Sequence, residues 1–129
     1  MAVAKQFSVM MENRRGALAE ICSELAKVAV NILALMVPEE ERVAPVRLVV
    51  NNLAAAEKVF AKLKLVYNVD EVIAASLSDR PGALGKLTRK LADHGIDVKY
   101  AYGSIERGNS RAVVILAVSD VAAAAQIVK

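Results

Sequence analysis

Residues 79–87 read DRPGALGKL, and residues 13–21 read NRRGALAEI. Each stretch runs from a turn-forming residue through a glycine into an apolar helical spacing, and the pairing decides the fold. Placing Gly16 over Gly82 also aligns Arg14 with Arg80, Ala17 with Ala83 and Leu18 with Leu84. Further along, Leu25 meets Leu91, Ala26 meets Ala92, and Asn31-Ile32 meets Asp97-Val98. A two-residue shift then superposes VVNNLAAA, 49–56, on AVSDVAAA, 117–124. The shift falls in a loop, where insertions are tolerated. The chain is an internal duplication.

Each copy carries the same order of signals. KQFSVMM, 5–11, and EVIAASL, 71–77, read as strands. Helices follow, with Leu18, Ile21, Cys22 and Leu25 matched by Leu84, Leu87 and Leu91 at helical spacing. The second of these helices closes at His94-Gly95, a glycine C-terminal stop. Two strands come next: NILALMV and VRLVV around the acidic loop PEEER, then DVKYAYGSI and RAVVILAV around Arg107-Gly108-Asn109. NLAAAEKVFAKL and DVAAAAQIVK are the last helices, and LVYNVD, 65–70, is a candidate closing strand for the first copy.

The order β-α-β-β-α, twice, predicts an α+β fold of two ferredoxin-like βαββαβ modules. Each has an antiparallel sheet with its helices on one face. The expected boundaries are 1–68 and 69–129, the second module lacking its final strand. An open strand edge is a liability, so the other copy or a second chain is expected to pair there. VVILAV and ILALMV do not alternate as a strand with one wet face should. Burial on both faces, and a homodimer or higher oligomer, are therefore expected.

The turn itself has chemistry. Asp79 is expected as the helix cap or near it, with Pro81 in the first turn, where its missing N–H costs nothing. Gly82 removes a side chain where free N–H groups emerge, so a ligand can approach the backbone. Those donors and the helix dipole suit a carboxylate or phosphate. Asn13 or Asp79, with Asn31 or Asp97 opening the next strand, offer acceptors for an ammonium. The same residues also suffice simply to start a helix.

The two repeats, ENRRGALAEICSELAKVAVNI and SDRPGALGKLTRKLADHGIDV, resemble the ACT domain, a small regulatory amino-acid-binding module. The resemblance covers nearly the whole chain, most specifically 12–37 and 78–104, and looks like a tandem ACT protein with no attached enzyme. It implies ligands at interfaces between modules, contacted by the turn before the first helix and by the start of the second strand. Carried across, those positions are Asn13, Arg14, Gly16, Ala17, Leu18 and Asn31 in the first module. In the second they are Asp79, Arg80, Pro81, Gly82, Ala83, Leu84 and Asp97. Arg15 departs from the family's usual proline, and Asp79 and Asp97 replace amides. The Asn13–Asn31 site is accordingly expected to be the better pocket. Tyr100 and Tyr102, opposite Ala34 and Met36 in the first copy, are either pocket-lining residues or ordinary core.

Other chemistries have little support. The chain has 129 residues, a net charge of +3 and 56% hydrophobic residues. Its basic residues are scattered among acidic ones, unlike a nucleic-acid face. No apolar run approaches the roughly 20 residues of a membrane span, and the start does not read as a signal peptide. With one cysteine, Cys22, no disulfide within the chain and no Cys-cluster metal site is expected. Cys22 sits on the apolar helix stripe without a base, and the lone His94 is placed to stabilise a helix end. The expectation is a cytoplasmic, non-enzymatic protein with no catalytic residues, cofactor, metal or membrane partner. It binds a free amino acid and signals through module packing, oligomerisation or a partner enzyme in trans. The alternative is a ligand-free scaffold that docks through its sheets.

Overall fold

The computed structural model describes residues 2–105 and 111–128. The turn expected at Arg107-Gly108-Asn109 lies outside the described residues. The chain divides into two compact units: residues 5–70, and residues 71–129 together with 1–4.

In the first unit the order is β1 (Ala2–Glu12), α1 (Ala17–Lys27), β2 (Ile32–Met36), β3 (Val43–Val50) and α2 (Leu53–Lys62). β3 lies antiparallel between β1 and β2. The register places Phe7 opposite Leu48 and Val9 opposite Val46, so one face of the sheet carries the large apolar side chains. Ile21 and Leu25 of α1 and Ala56, Val59 and Phe60 of α2 pack on that face. Phe7, Phe60 and Tyr67 meet there with ring centroids 5.0–5.7 Å apart. Three of the chain's five aromatic residues thus share one core. The closing strand expected at 65–70 is present: Met10 N–H donates to the Val66 carbonyl, and Ser8 Oγ donates to Asp70 Oδ2, both at 2.9 Å.

That strand does not stop at Asp70. It is β4 (Tyr67–Ser78), one element where the sequence suggested two. No glycine or proline occurs anywhere in residues 65–78, so nothing breaks the extended backbone.

The second unit continues with α3 (Ala83–Asp93), β5 (Val98–Ile105), β6 (Arg111–Val118) and α4 (Val121–Ile127). β6 lies antiparallel between β4 and β5. Its core is Ile73, Ala75, Leu87, Leu91, Ile96, Leu116, Val118 and Ala124, with no aromatic ring. β1 follows β4 in the strand order, and residues 2–4 group with this unit. The chain's own beginning therefore stands where this copy's closing strand belongs.

The burial expectations divide. In β6 the run Ile115–Val118 is buried throughout, so both faces are covered. β2 instead leaves Leu33 61% and Leu35 40% exposed, because it is the outermost strand, with one neighbour.

Asn52 and Asp120 cap α2 and α4, accepting from Ala55 N–H and Ala123 N–H. α1 and α3 begin differently. Asp79 and Pro81 stand before the helix, and the cap position is Gly82, at φ 91°, just as Gly16 is at φ 89°. Side chains avoid that left-handed region, which explains the repeated glycine better than a cap at Asp79.

Candidate functional site

The repeated turn leaves each first strand, reverses over four residues and enters a helix that no side chain caps. Ala17 N–H and Ala83 N–H turn back to the Arg14 and Arg80 carbonyls, at 3.2 and 3.3 Å, and the helical ladder begins with Glu20 N–H and Lys86 N–H on the Gly16 and Gly82 carbonyls. The N–H groups of the two residues between are the donors a helix start leaves over, and nothing lies within 4 Å of where a Cβ on Gly16 or Gly82 would stand. Up to this point the copies agree.

Their side chains do not. In the first unit the Asn13 amide donates to the carbonyls of Glu40 and Glu41 at 2.7 and 3.2 Å. Arg14 lies 3.4 Å from Glu12 and 3.6 Å from Glu20. Ala17 is buried, and Leu18 packs against the core. The polar groups expected to receive a ligand are engaged by the unit's own chain. In the second unit Asp79 and Arg80 are exposed and make no side-chain hydrogen bond or ion pair among the described residues.

Beside Asp79 and Arg80 opens a cavity of about 400 Å³. Ala83 and Leu84 of α3 form one wall, and Leu77, Ala112 and Val114 form the sheet side. Ala101, Tyr102 and Gly103 of β5 complete it. Leu84 shares the helical spacing of Leu87 and Leu91, but it is 47% exposed and borders the cavity instead of joining the core.

Small residues keep the space open. The duplication sets Ala101 against Leu35 and Gly103 against Val37 of the first unit. A Cβ on Gly103 would come within 2.7 Å of the Val113 carbonyl, so a larger residue there would force β5 away from β6. Of the two tyrosines left open by the sequence, Tyr102 lines the cavity. Tyr100 is not among the lining residues.

Asn31 and Asp97 are not brought to these turns within a unit. Asn13 N–H donates to the Arg42 carbonyl at one end of β3, whereas Asn51 N–H donates to the Asn31 carbonyl at the other. The nine intervening steps, at about 3.3 Å each, separate them by about 30 Å. In the second unit Asp79 follows Ser78, which pairs with Arg111, while Asp97 is joined to Ser119 beyond the far end of β6. The reason is topological: the helix returns the chain along the full strand before the next strand begins. Asn31 and Asp97 serve that far corner, where Asn31 N–H donates to Asn51 Oδ1 and Asp97 N–H to Ser119 Oγ, each at 2.9 Å.

Within each unit the residues named from the sequence thus fall at two ends of the sheet. Asp79, Arg80, Ala83 and Leu84 gather at the cavity, with Pro81 and Gly82 alongside at an adjoining groove. Asp97 stands apart, as Asn31 does from Asn13, Arg14, Gly16, Ala17 and Leu18. Sequence reasoning missed Leu77, Ala101, Gly103, Ala112 and Val114. The exchange of Leu35 and Val37 for Ala101 and Gly103 was the available signal.

His94 Nδ1 bonds the Lys90 carbonyl at 2.8 Å, at the end of α3. No helix is long and apolar enough to cross a membrane.

A family model described as an ACT domain pair matches residues 1–128. Among solved structures, protein BT0572 from Bacteroides thetaiotaomicron is 30% identical with a TM-score of 0.90, covering 97% of this chain and 85% of that one. The ligand-free regulatory subunit of aspartate kinase from Thermus thermophilus is 15% identical with a TM-score of 0.68, over 98% and 90%. Its counterpart from Thermus flavus is 14% identical with a TM-score of 0.63, over 99% and 95%. The two kinase subunits share the fold. No curated protein matches the sequence.

Proposed function

This chain belongs to the family of ACT domain pairs, and on that premise we propose a non-enzymatic regulatory protein whose second unit binds one free amino acid with an apolar side chain. The observation that carries the reading is the cavity of about 400 Å³ beside an exposed Asp79–Arg80 pair. A zwitterion needs opposite charges side by side and a space for its substituent. Asp79 receives the ammonium, Arg80 and the N–H groups of Leu84 and Gly85 receive the carboxylate, and the side chain enters between Leu77, Leu84 and Val114. Regulatory subunits of aspartate kinase share the fold, which agrees with a regulatory output and no chemistry of its own.

Binding acts on the output only through different affinity for two states of the protein. Those states are alternative packings of modules, or the protein alone and as a homodimer or in contact with an enzyme in trans. The first unit, its turn already satisfied internally, serves as framework.

Thermal melts against the common amino acids test the reading. A few apolar ones should raise the midpoint, with a stabilisation of about 2.7 kcal/mol at a hundredfold excess over Kd. Ala101→Leu, which installs the first unit's residue, should remove the response while leaving the unliganded melt nearly unchanged. If no amino acid at millimolar concentration moves the melt, the ligand-free docking module takes its place.

A further inference from the structure

The two copies put opposite charges on the same helix face. Matching Gly16 with Gly82 sets Glu20 against Lys86 and Glu24 against Lys90. In the first unit both carboxylates are paired: Glu20 lies 3.6 Å from Arg14, and Glu24 lies 2.6 Å from Lys27 and 2.7 Å from Lys62. In the second, Lys86 and Lys90 are exposed one turn apart on α3, and neither makes an ion pair among the described residues. Asp93, three positions beyond Lys90, is 3.7 Å from Arg89 instead.

These lysines line a groove of about 720 Å³ with Arg80, Ser76, Ser78 and Val128. Among the described residues no carboxylate side chain lines it. The groove shares Arg80 with the apolar cavity but opens along the lysine-bearing side of α3. Three cations in one concavity repel one another unless an anion sits among them, and the Ser78 hydroxyl beside them adds a donor for its oxygens.

We infer that this groove is a second ligand site, for a small phosphorylated metabolite of the pyrophosphate or nucleotide type. A single α-carboxylate needs one cation, whereas three call for a multiply charged anion. The groove has the size of small-molecule sites, roughly 300–1,000 Å³. A nucleic-acid surface would extend its charge along a face, but here Arg89, on the adjacent face, is neutralised by Asp93. The two sites share Arg80, which each would engage, but Lys86 and Lys90 take no part in the amino-acid pocket, so the lysine variants test this site separately.

Calorimetric titration of the full chain with inorganic pyrophosphate, at ionic strength fixed with sodium chloride, tests it. One saturable site per chain is expected, weakened at least tenfold in Lys86→Glu/Lys90→Glu, the charges of the first copy. Lys58→Glu on α2 should leave it unchanged. Lys86→Ala/Lys90→Ala repeats the test without charge reversal, and both side chains are exposed, so no packing is lost. Absence of binding, binding that survives in both double variants, or tighter binding of single-stranded RNA than of pyrophosphate overturns the inference.

Discussion

The first and second units share element order, register and a glycine-led turn, yet they use that turn differently. In the first, Asn13 is tied to the 40–41 loop, Arg14 to Glu12 and Glu20, and the core is built on three aromatic rings. In the second, Asp79 and Arg80 have no side-chain partner among the described residues, the buried core residues described are all aliphatic, and small residues of β5 border a cavity of about 400 Å³, against about 300 Å³ beside Arg14 and Ala17 in the first. Removing large side chains near the turn and removing its internal partners are separate changes, and both occur in the same copy. Duplication permits this: one copy can carry stability while the other keeps an opening that would cost a single domain its packing.

The contrast breaks most readily at the cores. Phe60→Ala, which removes a fully buried ring from the aromatic trio, should destabilise by about 3–5 kcal/mol. Leu91→Ala in the smaller core should cost about 2–4 kcal/mol, toward the lower part of the leucine range if neighbouring Ala and Val side chains relax. Denaturant titrations giving the opposite order would remove the claim that the first unit carries the larger share of packing energy.

A smaller effect lies at the ends of α1 and α3. Ala29 and Gly95 occupy matching positions with φ of 58° and 71°. Each follows a helix whose Leu25 or Leu91 carbonyl accepts from the residue just beyond, Val30 or Ile96. The geometry is one glycine adopts freely and alanine does not. Ala29→Gly should stabilise by about 0.5–1 kcal/mol, and Gly95→Ala should cost a similar amount. Responses of the same sign in the two units would mean the left-handed stop is not a shared constraint.

The smallest effect is on pH dependence. Hydrogen bonds from Lys27 and then Lys62 lower the Glu24 carboxyl from 4.5 to about 2. A lowered folded-state pKa contributes stability that is full above pH 4.5 and is lost as pH falls toward 2. Glu24→Gln should flatten that part of the melting curve. Lys90→Gln, at the matching position, should leave it unchanged between pH 4.5 and 2.

Much of this was legible in the residues. Aligning two glycines exposed the duplication, and alternation in β3 and the i, i+4 spacing of Leu87 and Leu91 placed the core faces. Other features were hidden for identifiable reasons. Asp79 has the chemistry of a helix cap, but the dihedral at Gly82 moves the helix start beyond it. Leu84 has core spacing yet borders a hollow, because what lies opposite it comes from β5 and β6, far along the chain. Asn31 lies near Asn13 in sequence, but an intervening helix carries it about 30 Å away along the strand.

The sequence by itself determined the repeat, the order of elements and the demand for glycine at each turn, since these depend on local dihedral preference and hydrophobic period. Only tertiary structure decided which turn has its polar side chains engaged by the unit's own chain. Vacant space and unpaired charge belong to no single residue, and they arise from what distant strands and loops bring, or fail to bring, against it.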